Sequence, residues 1–158
     1  MLSVNIGIVI LVLLAIFIPK RISGIEIYCT CLFAYLLGMT ADVIFDFIYD
    51  LYGYLSKGPQ ISGLVYVSVV YFSINTIYLN FFPFDKNFNF KIGYILVWTL
   101  LSVIIEVLIV QTPLLYYNGW KWWYSALLYP IIFTLLILNL LGVRKLMLIY
   151  VRHYTKTG

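Results

Sequence analysis

Charged side chains are scarce in this chain of 158 residues, where Asp, Glu, Lys and Arg together make up 10%. A soluble domain carries about 25% charged residues. Hydrophobic residues make up 64% of the chain, and the mean hydropathy is +1.02. A water-soluble protein of this length could not bury so much apolar surface, so the sequence predicts a protein whose solvent is the lipid bilayer. The basic residues are scattered between apolar runs instead of clustered on one face, and we expect no nucleic-acid partner.

Cysteine and histidine are also rare, and their positions exclude several kinds of chemistry. Cys29 and Cys31 are two residues apart, so on a helix they point to nearly opposite sides and cannot bridge each other. The single histidine, His153, lies near the C-terminus, away from both thiols. We therefore expect no metal site and no cofactor. We also expect no catalytic Ser-His-Asp or Cys-His set inside the membrane.

Five apolar runs are present, and they predict an all-α, integral membrane bundle of five transmembrane helices in a single domain, residues 1–158. The predicted spans are about 2–18, 25–48, 61–82, 90–110 and 124–143, followed by a basic cytoplasmic tail at 144–158. A signal peptide is the alternative interpretation of the first run. A signal peptide would carry positive charge before its apolar core, whereas Lys20 and Arg21 follow this run, so we favour an uncleaved span.

The basic residues also predict an orientation. If the loop after the first span is cytoplasmic, the cytoplasmic side holds eight of the ten Lys and Arg residues. The outer side then holds the other two, Lys57 and Lys121. By the positive-inside rule this places the N-terminus outside and the C-terminus in the cytoplasm.

Acidic residues occur at the predicted outer end of two spans. Asp42, Asp46 and Asp50 are spaced at i, i+4 and i+8, which places them on one slowly drifting helix face. Glu106 lies at a similar predicted depth in the fourth span. An ionisable group at membrane depth costs about 2.5–3.5 kcal/mol. Another part of the protein must therefore meet these carboxylates.

Two interpretations of these carboxylates stay open. In the first, Asp42, Asp46 and Glu106 line a pocket open to the outer side, with Lys121 or Lys57 reaching in, and the pocket binds a cation or a proton. In the second, hydroxyl, amide and lysine partners satisfy the acids, and the polar network fixes how the helices pack. We favour the second, because five helices rarely enclose a large cavity. Gly38, one turn before Asp42, would also let another helix approach closely.

An enzymatic function is the less favoured interpretation, and we predict no catalytic residues. The D-x-x-x-D spacing of Asp42 and Asp46 is similar to that of membrane prenyltransferases, which hold a diphosphate through Mg²⁺. Those enzymes need a second Asp-rich helix and many more spans. In this chain the matching helix offers only Glu106.

An aromatic segment precedes the fifth predicted span. It contains Tyr117, Asn118, Trp120, Trp122 and Trp123. Such residues could form a docking surface for a partner or a lipid headgroup. They could instead anchor the fifth helix at the membrane–water interface, where tryptophan and tyrosine are enriched, and we favour this anchoring role.

Several phrases of the sequence together carry a family resemblance: Asp42-Val43-Ile44-Phe45-Asp46, Tyr52-Gly53-Tyr54, Asn80-Phe81-Phe82-Pro83-Phe84, Glu106, Tyr117-Asn118-Gly119-Trp120 and Tyr124-Ser125-Ala126-Leu127-Leu128-Tyr129-Pro130. With these phrases the chain resembles a family of small multi-pass membrane proteins from Bacillus- and Clostridium-type bacteria. The resemblance covers most of the chain after the first span. It implies a protein of the bacterial cytoplasmic membrane and implies no particular activity.

The sequence as a whole predicts a non-enzymatic structural or accessory subunit. Its expected partners are the lipid bilayer and either another membrane protein or a second copy of itself. The alternative is a small cation- or proton-linked binding or transport protein that uses the outward-facing carboxylates.

Overall fold

The structure, a computed structural model, describes residues 2–55 and 61–154. Within these residues the chain forms five helices: α1 (Leu2–Phe17), α2 (Gly24–Asp42), α3 (Ile61–Asn80), α4 (Phe88–Val110) and α5 (Trp122–Tyr154). A π-helical segment, Val43–Ile48, continues α2. Two three-residue strands, β1 (Tyr52–Tyr54) and β2 (Leu115–Tyr117), complete the described elements.

The helices confirm an all-α protein with four helices long and apolar enough to cross a membrane. These are α2 with its π-helical continuation, α3, α4 and α5. The first helix is apolar but has only 16 residues. At 1.5 Å per residue it is about 24 Å long, less than the roughly 30 Å of a bilayer's hydrocarbon core. A fifth span through α1 therefore stays a prediction.

The last helix is longer than the sequence pattern indicates. The sequence predicts that a span ends at 143 and that a basic tail begins at 144. In the structure, α5 instead runs unbroken for 33 residues to Tyr154. The part of the predicted tail at 155–158 lies outside the described residues. Arg144 marks no helix end, and its guanidinium pairs with Glu26 of α2.

The centre of the bundle is a small aromatic and aliphatic core. Tyr78 and Leu79 of α3 are fully buried and pack against α5, where the Tyr78 and Phe133 ring centroids are 4.6 Å apart. From α4, the Tyr94 hydroxyl donates to the Tyr78 carbonyl oxygen at 2.8 Å. Large apolar side chains such as Leu100 stay exposed. An apolar exposed surface is the arrangement expected when the outside of the bundle meets lipid.

The helices do not all contact one another equally. α5 packs against α2, α3 and α4, whereas α1 packs against α3. Direct contact between the second and fourth spans is not extensive among the described residues. Any link between Asp42 on α2 and Glu106 on α4 must therefore pass through other elements.

An ion pair joins α2 to α5 at the end of the bundle where α2 begins. Ser23 caps α2, and its side chain and that of Glu26 form a reciprocal capping box. Arg144 Nε donates to Glu26 Oε1 at 2.5 Å, and the guanidinium lies 4.4 Å from the centroid of the Phe84 ring. The charge of Arg144 is thus neutralised within the bundle, which lets α5 continue past it.

A two-stranded antiparallel ribbon closes the opposite end of the bundle. β1 follows α2, β2 follows α4, and their register pairs Tyr52 with Tyr117 and Tyr54 with Leu115. At the centre of the ribbon Gly53 faces Tyr116, and a side chain at Gly53 would collide with the Tyr116 hydroxyl. The ribbon brings together the segments that follow the two acid-bearing helices.

Candidate functional site

Asp42 is the last residue of α2, and its side chain is enclosed by tyrosine hydroxyls. Its exposed fraction is 4%. Tyr52 and Tyr54 of the ribbon both donate to Asp42 Oδ1, at 2.7 Å and 3.1 Å. Tyr71 of α3 donates to Oδ2 at 3.1 Å. Both carboxylate oxygens are therefore occupied, and the three donors come from two different parts of the chain.

The close approach of α2 and α3 depends on a glycine. Gly38 lies one turn before Asp42, and a methyl group there would overlap the ring of Tyr71. With no side chain at Gly38, the Tyr71 ring lies flat enough against α2 for its hydroxyl to reach Asp42. The predicted role of Gly38 as a point of close helix approach is confirmed.

Glu106 on α4 has an equivalent set of three hydroxyl donors. Tyr117 of the ribbon and Ser125 of α5 both donate to Glu106 Oε1, the serine at 2.6 Å. Tyr129, one turn further along α5, donates to Oε2. Like Asp42, this carboxylate is held by the ribbon on one side and by a neighbouring helix on the other.

Trp120 connects the two carboxylate groups. Its indole Nε1 donates to Ser125 Oγ at 2.8 Å, and that hydroxyl in turn donates to Glu106. Its ring packs edge-on against Tyr52, which donates to Asp42, with 5.3 Å between ring centroids. Asp42 and Glu106 thus belong to one network of hydroxyls and aromatic rings, which we call the outer network.

Backbone hydrogen bonds hold the ribbon against the end of the helices. The amides of Asn118 and Trp120 both donate to the Leu51 carbonyl oxygen, at 2.8 Å and 2.9 Å. The Asn118 side chain donates to the Asp50 carboxylate at 2.8 Å. These bonds lie next to the paired tyrosines Tyr52 and Tyr117, so they fix the positions from which those hydroxyls reach the two acids.

The ribbon tyrosines stay protonated at physiological pH. Burial raises the pKa of Tyr52, and the charge of Asp42 raises it further. Burial also raises the pKa of Tyr54 and of Tyr117, the latter with a further contribution from its hydrogen bond to Glu106. All three hydroxyls therefore keep the proton that they donate.

The predicted common helix face of Asp42, Asp46 and Asp50 is wrong for Asp50, which lies beyond the end of the helix. From Val43 the helix widens to a π-helical turn, in which the Tyr49 amide donates five residues back to Ile44. Asp46, on this segment, is half-buried, and its carboxylate accepts no hydrogen bond from the residues described. The helix ends at Ile48, and Asp50 is exposed in a left-handed conformation with φ of 48°.

The structure does not bring Lys121 to the carboxylates. Its side chain is exposed, and in the described ranges no ion pair joins it to Asp42, Asp46 or Glu106. The preceding tryptophan turns inward, and the chain then enters α5 with Lys121 on the outside. Lys57, the other predicted lysine, lies outside the described residues.

The aromatic segment divides into an inner and an outer part. Tyr117, Asn118 and Trp120 make side-chain hydrogen bonds to the ribbon end of the bundle, and their predicted position at the membrane interface stays a prediction. Trp122 and Trp123 are exposed on the first turn of α5, where they can meet the membrane interface as predicted. The alternation follows from the turn at Gly119, whose φ of +144° suits only glycine.

Two apolar grooves on the described surface lie away from these carboxylates, one along α1 at Leu13 and Phe17 and one on α5 at Pro130 and Ile131. Neither groove includes Asp42 or Glu106. No group of three or more His, Cys, Asp and Glu side chains in the described part is arranged to hold a metal ion.

Comparisons of this chain with protein-family models, with curated proteins and with solved structures give no match. The resemblance to small multi-pass proteins of Bacillus- and Clostridium-type bacteria therefore stays a prediction. The functional interpretation depends on the geometry of the outer network.

We predict that Tyr52→Phe lowers the free energy of unfolding by about 1–3 kcal/mol, because it removes one hydroxyl donor from a buried carboxylate. The measurement is reversible unfolding of the purified protein in detergent micelles. The matched control is Tyr28→Phe, whose side chain is 67% exposed on the surface of α2. Equal stability of the two variants would contradict the assigned role of the Tyr52 hydroxyl.

Proposed function

We propose that this protein is a non-enzymatic structural or accessory subunit of a membrane, which packs against a membrane-protein partner or a second copy of itself. The observation that supports this proposal is that protein hydroxyls donate to every carboxylate oxygen of the buried Asp42 and the half-buried Glu106. Asp42 and Glu106 each receive three donors, and together these come from both strands, α3 and α5.

The geometry suits a packing role better than a ligand site. A cation site needs carboxylate lone pairs directed toward a shared space, whereas these lone pairs already accept protein hydrogen bonds. A ligand would have to displace tyrosine hydroxyls whose hydrogen bonds to a charged group contribute about 1.5–3 kcal/mol each. The same bonds tie the ribbon to the helices and make that end of the bundle rigid.

The competing proposal is a cation- or proton-linked function of the same carboxylates. Its support is Asp46, a half-buried acid one turn from Asp42 whose carboxylate accepts no hydrogen bond within the described residues. Two carboxylates this close would favour a shared proton or a bound cation.

We further propose five spans in a bacterial cytoplasmic membrane, with the N-terminus outside and the C-terminus in the cytoplasm. The support is the distribution of charge between the two ends of the bundle. Lys20, Arg21 and Arg144 lie near the start of α2, and Asp42 and Glu106 lie near the ribbon. A basic end facing the cytoplasm obeys the positive-inside rule.

We predict that Asp42→Asn and Glu106→Gln each lower the free energy of unfolding by about 1–3 kcal/mol, because the amide donor would face a hydroxyl donor. Unfolding in detergent is measured with and without Na⁺, K⁺, Mg²⁺ and Ca²⁺ and across pH 5–8. Asp85→Asn, on an exposed turn at the other end, is the matched control. A packing role predicts that no added cation changes the stability of the wild type.

The competing proposal predicts a different result in the same experiment. One cation, or one pH range, would stabilise the wild type, and Asp42→Asn or Glu106→Gln would abolish that effect while the amount of folded protein stays unchanged. That outcome would contradict the structural proposal.

We predict that a green fluorescent protein fused to the C-terminus is fluorescent and that alkaline phosphatase fused there is inactive, because the former folds in the cytoplasm and the latter outside it. Fusions made after Gly119, in the turn before α5, should give the reverse pattern. An active phosphatase at the C-terminus would overturn the orientation.

A further inference from the structure

The end of α5 projects beyond the rest of the bundle. Arg144 pairs with Glu26 in the first turn of α2, so it marks the level at which α2 begins. The last residue of α3, Asn80, lies at this same end, where its side chain donates to the Pro19 carbonyl oxygen at 3.0 Å. Residues 145–154, which we call the α5 extension, therefore continue past these helix ends by about 15 Å at 1.5 Å per residue.

The surface of the α5 extension is apolar on several sides. Leu146, Leu148 and Ile149 are 68%, 62% and 55% exposed. Because successive residues of a helix are about 100° apart, these three side chains point in different directions around its axis. Exposure of these apolar side chains to water would be unfavourable, so an apolar environment has to cover this part of the helix.

A basic side chain lies on each side of these apolar residues along the helix. Lys145 and Arg152 are both exposed, and their separation of seven residues places them on nearly the same helix face. Leu148 and Ile149 lie between them on that face. A basic helix face with an apolar middle matches the surface of an anionic membrane leaflet.

A second copy of the chain fits this face less well. A symmetric contact through the α5 extension would bring Lys145 and Arg152 of two copies together, and like charges in contact repel. Of the acids described at this end, Glu26 is already paired with Arg144, and Asp85 alone remains against the exposed basic residues Lys20, Arg21, Lys86 and Lys145. Charge complementarity therefore favours phosphate-bearing lipid.

We propose that the α5 extension binds anionic phospholipid at the membrane surface on its side of the bilayer. Leu148 and Ile149 lie at the level of the headgroups, and Lys145 from the acyl-chain side and Arg152 from the water side reach the phosphates. The proposal rests on the membrane assignment given above but not on the orientation or on the role of the carboxylates.

The test compares lipid retention by the full-length chain and its variants. Protein purified in mild detergent is mixed with equal amounts of phosphatidylglycerol and phosphatidylcholine, and the retained lipids are counted by native mass spectrometry. At about 1 kcal/mol for each basic side chain, the double variant Lys145→Gln/Arg152→Gln should lose about thirty-fold in its preference for phosphatidylglycerol. The charge-conserving double variant Lys145→Arg/Arg152→Lys should keep that preference.

Two further results would separate the possible failures. An equal preference for phosphatidylglycerol in the wild type and the Gln variant would overturn the lipid site. The site would also be overturned if Lys121→Gln, at the opposite end, lost the preference to the same extent. Unfolding in detergent checks that each variant folds. A chain that leaves vesicles in an alkaline carbonate wash would contradict the membrane assignment itself, whereas a chain that stays embedded without the preference would contradict only this proposal.

Discussion

A carboxylate buried in a membrane protein has to receive hydrogen bonds, because water is not available to solvate it and an unsatisfied charge costs several kcal/mol. Asp42 and Glu106 meet this requirement with three hydroxyl donors each. The donors cannot come from the acid-bearing helices themselves. They come from α3, from α5 and from a ribbon that exists where the chain leaves α2 and α4. The need to satisfy two acids thus explains why these loops are ordered into paired strands.

The two ends of the bundle solve the same problem with different chemistry. At the ribbon end, neutral hydroxyls donate hydrogen bonds to the carboxylates and separate them from lipid. At the opposite end, Arg144 neutralises Glu26 directly. Between them, the contacts of Tyr78 with Phe133 and Tyr94 are largely aromatic. The polar contacts at both ends specify one arrangement of the helices. Apolar side chains alone would pack in several ways.

Some of this structure could be predicted from the sequence, and the reasons for the rest are local. The apolar runs predict the helices, and counting residues along α2 and α4 correctly places Asp42 and Glu106 at one end.

The ribbon could not be predicted, because each strand has three residues and its partner lies more than 60 residues away. The π-helical segment that continues α2 past Asp42 has no signature in composition. Trp120 and Trp122 look alike in the sequence, and only the turn at Gly119 sends one inward. In the sequence, Arg144 looks like the end of a span, because its partner Glu26 lies 118 residues earlier.

The central claim is that the hydroxyl donors and the buried acids stabilise the bundle jointly. A double-mutant cycle between Asp42→Asn and Tyr52→Phe measures this coupling through unfolding free energies in detergent. The account predicts that the two changes are strongly non-additive, with a coupling energy of about 1–3 kcal/mol, because each removes the same hydrogen bond. Additive effects, within about 0.5 kcal/mol, would mean that the tyrosine and the aspartate act independently and would contradict the account.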